Sequence, residues 1–472
     1  MYFAGGCLKS SVSARRPFDA DHVARPENGF MSPSASEEFA SLFNGHEAKH
    51  DRLTHYLFRY PAKFHPPIAR ALIQKFSKPG QTIFDPFCGS GTAAVEALAT
   101  GRNSVAMDID PVAVAVATAK TRRIQPNALR ASAAKVLRKL DMRERTSREY
   151  EYRQFVDLSQ ANFRTQARPV RAYIPHLPNI EHWFRRYAII DLAWIDRTII
   201  EIDLPSAHKQ FFEIVFASII RSASNADPVP VSGLEVTSHM IRRDEEGRVV
   251  NAFALFRRAL TKALDASESF YRATAPGLAV RVFAGDATEI PKLREEIDCI
   301  LTSPPYHGAV DYYRRHTLEM YWLGKTSNRG QRLLLLDKYV GRLSVSKRNS
   351  LVASAAALPP LALRWEKRIR AVSNARANGF RHYTTAMKLA FDGMAGLLRA
   401  GSPAVLVVGN SHWNNTEIPT DALLAELADD HFKLVDVFSY PLKNRYMSYS
   451  RHNGADIKTE HVLVFHKRAR NK

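Results

Sequence analysis

Residues 82–120 alternate between short apolar runs and helical spacing, and that alternation confines this part of the chain to an open α/β sheet. Thr82-Ile83-Phe84 reads as a buried strand that runs into the glycine turn Cys88-Gly89-Ser90-Gly91. Residues 93–99 continue as a helix that Gly101 stops, and residues 104–107 form a second strand ending at Asp108. Asp110-Pro111 then supplies an N-cap followed by proline at the first helical position, ahead of a helix reaching Lys120. Upstream, residues 68–76 have helical apolar spacing, broken by Pro79-Gly80. The succession is the βαβα opening of a Rossmann-like sheet with helices on both faces.

The alternation then stops for about 150 residues. Residues 122–275 read as a mainly helical, basic insertion with aromatic-rich stretches such as His182-Trp183-Phe184. Trp183, Trp194 and Phe211 in it read as helical core rather than as wedges between bases. Strand signals return at residues 281–283, 299–301, 404–408, 433–440 and 461–465. A second insertion at 325–380 carries about a dozen Lys and Arg against two acids. The expected organisation is a poorly ordered leader at 1–45, a cofactor half at 46–121, the helical insertion at 122–275 and a catalytic half at 276–324. The basic insertion at 325–380 and a segment completing the sheet at 381–472 follow. No internal repeat is visible.

The formal net charge of +20 and pI near 9.9 point to a polyanionic partner, nucleic acid first, because such a surface attracts phosphate backbones before specific contacts form. Cys7, Cys88 and Cys299 lie far apart without metal-ligand spacing, which supports neither a disulfide framework nor a zinc site and fits a reducing cytoplasm. No run of eighteen apolar residues exists, and the opening residues are too short for a secretory core, so membrane and export readings are set aside.

Two strings carry chemistry. In Phe84-Asp85-Pro86-Phe87-Cys88-Gly89-Ser90-Gly91-Thr92, Gly89 and Gly91 permit positive φ and let the backbone approach a ligand. Asp85 ends the strand, placed to accept from a cationic amino group. The turn lacks both the Lys-Ser/Thr ending of a phosphate loop and the third glycine of a dinucleotide fingerprint, so a cofactor without a pyrophosphate fits better. Asp110 is explained as an N-cap, which leaves Asp108, with no such duty, to chelate two ribose hydroxyls. Asp286, just past a third strand, reads either as an acceptor for an adenine amino group or as a plain turn residue. The second string, Thr302-Ser303-Pro304-Pro305-Tyr306, places a hydroxyl, a rigid backbone and an aromatic face together, parts suited to holding a planar base by its amino group. His307, next in sequence, is left as a loop residue.

Together these strings resemble the S-adenosylmethionine-dependent amino-methyltransferases of DNA, in which their equivalents are the cofactor loop and the catalytic motif. The resemblance covers about 55–120, 281–324 and 381–467. It implies S-adenosylmethionine as cofactor, held by Asp85, Pro86, Phe87, Gly89, Ser90, Gly91, Thr92, Asp108 and Asp286. Phe64 joins them from Tyr60-Pro61-Ala62-Lys63-Phe64-His65-Pro66-Pro67, which is similar to the family segment closing over the methionine end. It implies a catalytic group of Ser303, Pro304, Pro305 and Tyr306 acting on a base flipped out of double-stranded DNA, and a possible cognate restriction endonuclease. Ser303 Oγ and the Pro304 carbonyl can accept the two amine hydrogens, localising the lone pair for attack on a methyl sulfonium, while Tyr306 offers a stacking face. No strong general base is required, since the amine becomes acidic once methylated.

A serine at the first motif position resembles the cytosine-N4 enzymes, with adenine-N6 as the nearest alternative. RNA amino-methylation and a catalytically inactive nucleic-acid binder stand further off. A carbon-methylating mechanism needs a nucleophilic cysteine after a proline, which neither Cys88 nor Cys299 provides. Either insertion could read the target sequence, with the larger 122–275 favoured over the shorter, more basic 325–380. The basic aromatic stretch 444–452 would line the base pocket, contact phosphates or be an ordinary loop.

Overall fold

The structure, a computed structural model, describes residues 53–61, 63–228, 234–308, 312–414, 416–442 and 457–469. The expected leader at 1–45 and the 444–452 stretch lie outside the described residues. The strands are β1 (Thr82–Asp85), β2 (Asn103–Asp108), β3 (Val280–Ala284), β4 (Cys299–Thr302), β5 (Pro403–Gly409), β6 (Ser411–Trp413), β7 (Thr416–Ile418), β8 (Phe432–Pro441) and β9 (Thr459–Lys467). Seven of them form one sheet in the order β3-β2-β1-β4-β5-β9-β8, and β6 and β7 pair as a separate ribbon. β1 to β5 run parallel to one another, whereas β9 is antiparallel to both β5 and β8. From β1 the chain runs outward through β2 to β3 and then crosses to β4 on the other side. That reversal opens a crevice at the carboxyl ends of β1 and β4, where α/β sheets bind ligands.

Period-two alternation explains the layering. Ile83, Leu301, Val405, Val407, Val462 and Val464 face the helix Pro66–Phe76, which buries Ile68, Ala69, Leu72 and Ile73 against them. Their neighbours Phe84, Ile300, Leu406, Val408, Leu463 and Phe465 pack on the opposite face. There they meet the helices Pro360–Arg370, Asn374–Leu397 and Thr420–Ala428. The central strands of a sheet sandwiched this way are buried on both faces, so β4 and β5 carry no charges. The fold is Rossmann-like α/β, with a mixed sheet and helices on both faces.

The helix Pro111–Lys120 begins as the sequence predicts, with the Asp110 side chain accepting from Val112 N at 2.8 Å. It also founds the second large core. Pro126–Asp141, Arg186–Glu201, Ser206–Ala223 and Ala252–Ala273 pack with it into one apolar cluster. The helix Thr317–Trp322, which follows the second string, enters the same cluster: Trp322 packs edge-on to Phe184 at 5.8 Å and Phe216 at 5.9 Å between centroids. Phe211 is in this core at 1% exposure, and Trp183 and Trp194 pack half-buried at its rim. Truncating a side chain such as Phe216 to alanine costs roughly 3–5 kcal/mol, so the layer braces the segment behind the second string. No helix among the described residues is long and apolar enough to cross a membrane.

Candidate active site

Asp85 and Asp108 end neighbouring parallel strands, so both carboxylates arrive at the same edge of the sheet. Asp85 is 4% exposed, and its Oδ1 accepts from Phe87 N at 3.1 Å and from Thr302 Oγ1 at 2.6 Å. Thr302 thereby ties the tip of β4 to that of β1. Burial pushes the Asp85 carboxyl up to about 7, against the opposing pull of its two donors. Asp108 is also raised to about 7, by burial first and then by the nearby Asp110.

Asp108 has a structural duty that its sequence reading denied it. Its Oδ2 accepts from Gly89 N at 2.7 Å and its Oδ1 from Asp110 N at 2.9 Å, so the carboxylate holds the glycine turn against β2. Each oxygen still has lone-pair capacity for a hydroxyl donor. Asp110 is a cap and more, since its Oδ2 lies 2.6 Å from His316 Nδ1. Asp286 caps the short turn Ala287–Glu289, with Oδ1 accepting from Thr288 N at 3.0 Å and Thr288 Oγ1 at 2.7 Å.

The two glycines of the turn serve different needs. Both have positive φ, +49° at Gly89 and +78° at Gly91. A Cβ on Gly91 would lie 2.8 Å from Ala117 Cβ, so this glycine lets the turn pack on the helix Pro111–Lys120 rather than admitting a ligand. At Gly89 a Cβ would come within 3.2 Å of the Tyr60 ring.

The second string lies opposite. Ser303 Oγ is 3.4 Å from the Tyr306 hydroxyl, which donates to Glu460 Oε1 at 2.8 Å. The Tyr440 hydroxyl donates to Glu460 Oε2 at 2.6 Å. Burial raises the Glu460 carboxyl above its ordinary range, while the two hydroxyl donors lower it. His307 packs edge-on to Phe380 at 5.5 Å and tilted against Tyr383 at 5.6 Å, and burial pushes it down to about 4. It lies in a loop, as the sequence reading has it, and is packed there.

One cleft, open to solvent, joins the two ends. Its walls include Phe64, Asp85, Pro86, Phe87, Gly89, Ser90, Thr92, Asp108 and Asp286 on the cofactor side, and Ser303 and Pro305 on the other. Gly91, Pro304 and Tyr306 are not wall residues: Gly91 faces Ala117, Pro304 is buried, and the Tyr306 ring packs over Gly409. The Ser90 and Thr92 hydroxyls are buried without a hydrogen-bond partner among the described residues, as expected of groups waiting for a ligand.

Sequence reasoning missed several walls. Lys63 lies beside Phe64, with burial lowering its ammonium to about 8. Lys338, Tyr339 and Val340 come from the basic insertion, where no motif marks them. Glu460 left one faint signal, the one acid of a closing strand whose centre, Val462 to Phe465, is apolar. Burial pushes the Cys88 thiol well above its ordinary value and Cys299 up to about 12, so neither presents a thiolate.

A family model described as DNA methylase matches residues 19–119. Type II methyltransferase M.MvaI of Kocuria varians is 32% identical over 180 residues, which cover 37% of this chain and 35% of that protein. Type II methyltransferase M.BsoBI of Geobacillus stearothermophilus is 24% identical over 301 residues, 61% of this chain and 56% of that one. The chain thus spans between about a third and just over half of the length of these curated relatives. Among solved structures, the rRNA methyltransferase aviRa of Streptomyces viridochromogenes aligns with 87% of this chain and 88% of its own at 12% identity. Its TM-score of 0.29 is too low to support an argument. The segment matched by the DNA methylase model runs through the glycine turn into the helix Pro111–Lys120, and over the aligned parts the chain is similar to these Type II methyltransferases.

Proposed function

We propose that the protein transfers a methyl group from S-adenosylmethionine to the N4 amine of a cytosine extruded from double-stranded DNA. The observation that carries this reading is the single cavity with carboxylates at one end and Ser303 with Pro305 at the other. The residues fit the cofactor. Asp85 suits a cationic amino group, Asp108 a pair of ribose hydroxyls, and the unpartnered Ser90 and Thr92 hydroxyls offer further polar contacts. When bound, S-adenosylmethionine supplies an electrophilic methyl sulfonium.

The chain's own residues do the rest. Ser303 Oγ, which lines the cavity, accepts an amine hydrogen, which concentrates the lone pair on nitrogen and aims it. Consecutive prolines fix the backbone there, so the acceptor geometry precedes binding. Cytosine is favoured over adenine by the serine at the first motif position.

Duplex contact we assign to the basic insertion at 325–380 rather than to the larger helical one. Many arginines of the helical insertion are already paired, as in Arg130 with Asp265 and Glu268, Arg145 with Asp191, and Arg257 with Asp141. By contrast Lys338, Lys347, Arg348 and Arg364 are exposed, and Lys338 stands at the cavity itself. Unneutralised cations beside the base site favour a phosphate backbone.

Mass spectrometry of nucleosides from the DNA of a methylation-free host expressing the protein tests the proposal. It should find N4-methylcytosine. N6-methyladenine instead would move the target to adenine, and methylated RNA with unmodified DNA would overturn the DNA reading.

A further inference from the structure

Glu460 of β9 stands directly opposite Tyr440 of β8 on one side and Gly409 of β5 on the other. Facing residues of adjacent strands share a side of the sheet, which brings the Tyr440 hydroxyl onto the carboxylate. On the other side the glycine leaves a gap. A Cβ at Gly409 would lie 2.6 Å from Ile457 Cγ2 and 3.1 Å from Tyr306 Cε2, so the missing side chain makes room for both, and the tyrosine hydroxyl reaches Glu460.

This arrangement fixes a direction. An ionised carboxylate accepts hydrogen bonds and donates none, and here each oxygen receives one hydroxyl. Tyr306 has a single proton, and it is directed at Glu460. Toward Ser303 it therefore presents lone pairs, so Ser303 is the donor in the 3.4 Å contact between them. With its hydrogen turned back to Tyr306, Ser303 faces the cavity with acceptor lone pairs alone.

We infer that Glu460 is a positioning residue that sets the polarity of this hydrogen-bond chain and so holds Ser303 as an acceptor for an N–H donor. The consequence is selective. Cytosine offers an amine at ring position 4, whereas thymine and uracil offer a carbonyl there, which would meet lone pairs with lone pairs. The inference rests on the amine-methylating reading above and adds to it the residue that enforces the amine.

Glutamine preserves the size of Glu460 but has one accepting end and one donating end, so it cannot receive both tyrosine hydroxyls. Glu460→Gln should lower kcat about tenfold, with cofactor Kd unchanged. Tyr306→Phe cuts the same chain while keeping the ring, and should lower kcat by a similar factor. The double variant should be no slower than the slower single, because both changes break one connection. Adding Tyr440→Phe to Glu460→Gln frees the amide oxygen to turn toward Tyr306 and should recover much of the lost rate.

Losses that multiply in the double variant, or wild-type kcat in Glu460→Gln, would overturn the inference. Should Glu460→Gln fail to fold, Tyr306→Phe alone decides, since wild-type kcat there is incompatible with the chain. Wild-type protein that binds cofactor but methylates no DNA amine refutes the proposed function itself, and that outcome appears before any substitution is made.

Discussion

The two ends of the cavity are held in shape by opposite means. At the cofactor end, Asp85 receives the N–H of Phe87 two residues on, and Asp108 receives those of Asp110 and Gly89. At the amine end, Ser303 and Tyr306 depend on Glu460, 154 residues beyond Tyr306, and through it on Tyr440. The first end is organised by backbone N–H groups of its own turn region and one distant hydroxyl, Thr302 on Asp85, the second entirely by side chains from strands that complete the sheet last in sequence. A turn built locally ought to tolerate distant changes, whereas the amine end ought to fail when a remote strand is altered.

Ser303→Ala is the sharpest way to separate the ends. Removing one preorganised hydrogen-bonding group from a reacting centre costs about 100- to 1000-fold in kcat, and cofactor affinity should stay within about twofold. A parallel loss of cofactor binding, measured by calorimetry, would mean the two ends are not independent.

Asp108→Ala should act in reverse, weakening the cofactor by roughly 10- to 100-fold, as expected when hydrogen bonds to a charged group are lost. Part of that loss comes from the glycine turn, which Asp108 holds through Gly89. Unchanged affinity would remove Asp108 from the cofactor site.

Gly91→Ala tests the packing role. A Cβ there meets Ala117 at 2.8 Å at a φ of +78°, so denaturant unfolding should show a loss of about 1–3 kcal/mol. Full stability would return the glycine to a ligand-approach role.

The smallest expected effect is on pH dependence. Asp85 and Asp108 titrate near 7 in the folded protein, above the ordinary value of about 4 that the unfolded chain keeps. Between these values the unfolded chain releases protons that the folded one retains, so stability without ligand falls as pH rises from about 4 to about 7. A cationic, hydroxyl-bearing cofactor prefers the ionised carboxylates, so its affinity should instead rise roughly three- to tenfold from pH 6 to pH 8, with proton release. Calorimetry in two buffers of different ionisation enthalpy checks this, and binding without proton release would contradict it.

Much of the frame was legible because it is written locally. The seven strands of the sheet sit at apolar runs the sequence displays, and Asp110-Pro111 announced its helix through capping chemistry. The paired strings brought Asp85, Asp108 and Ser303 to one cavity, since a strand ending in a turn delivers its last residue to the sheet edge. What was not legible depends on distance. Nothing beside Asp108 in sequence reveals that its oxygens hold Gly89. Nothing near Tyr306 announces Glu460, and nothing in 325–380 marks Lys338, Tyr339 and Val340 as cavity walls. Gly409 reads as an unremarkable strand end until a ring from another segment crosses it.

The central claim is that this one cavity brings a methyl donor to a base amine held by Ser303. Purified protein incubated with DNA and S-adenosylmethionine carrying an isotopically labelled methyl group tests it most directly. The account predicts label in the exocyclic amine of cytosine, and its near disappearance with Ser303→Ala while the variant still binds cofactor. Label on a ring carbon, no label in any base, or undiminished transfer by Ser303→Ala would contradict it.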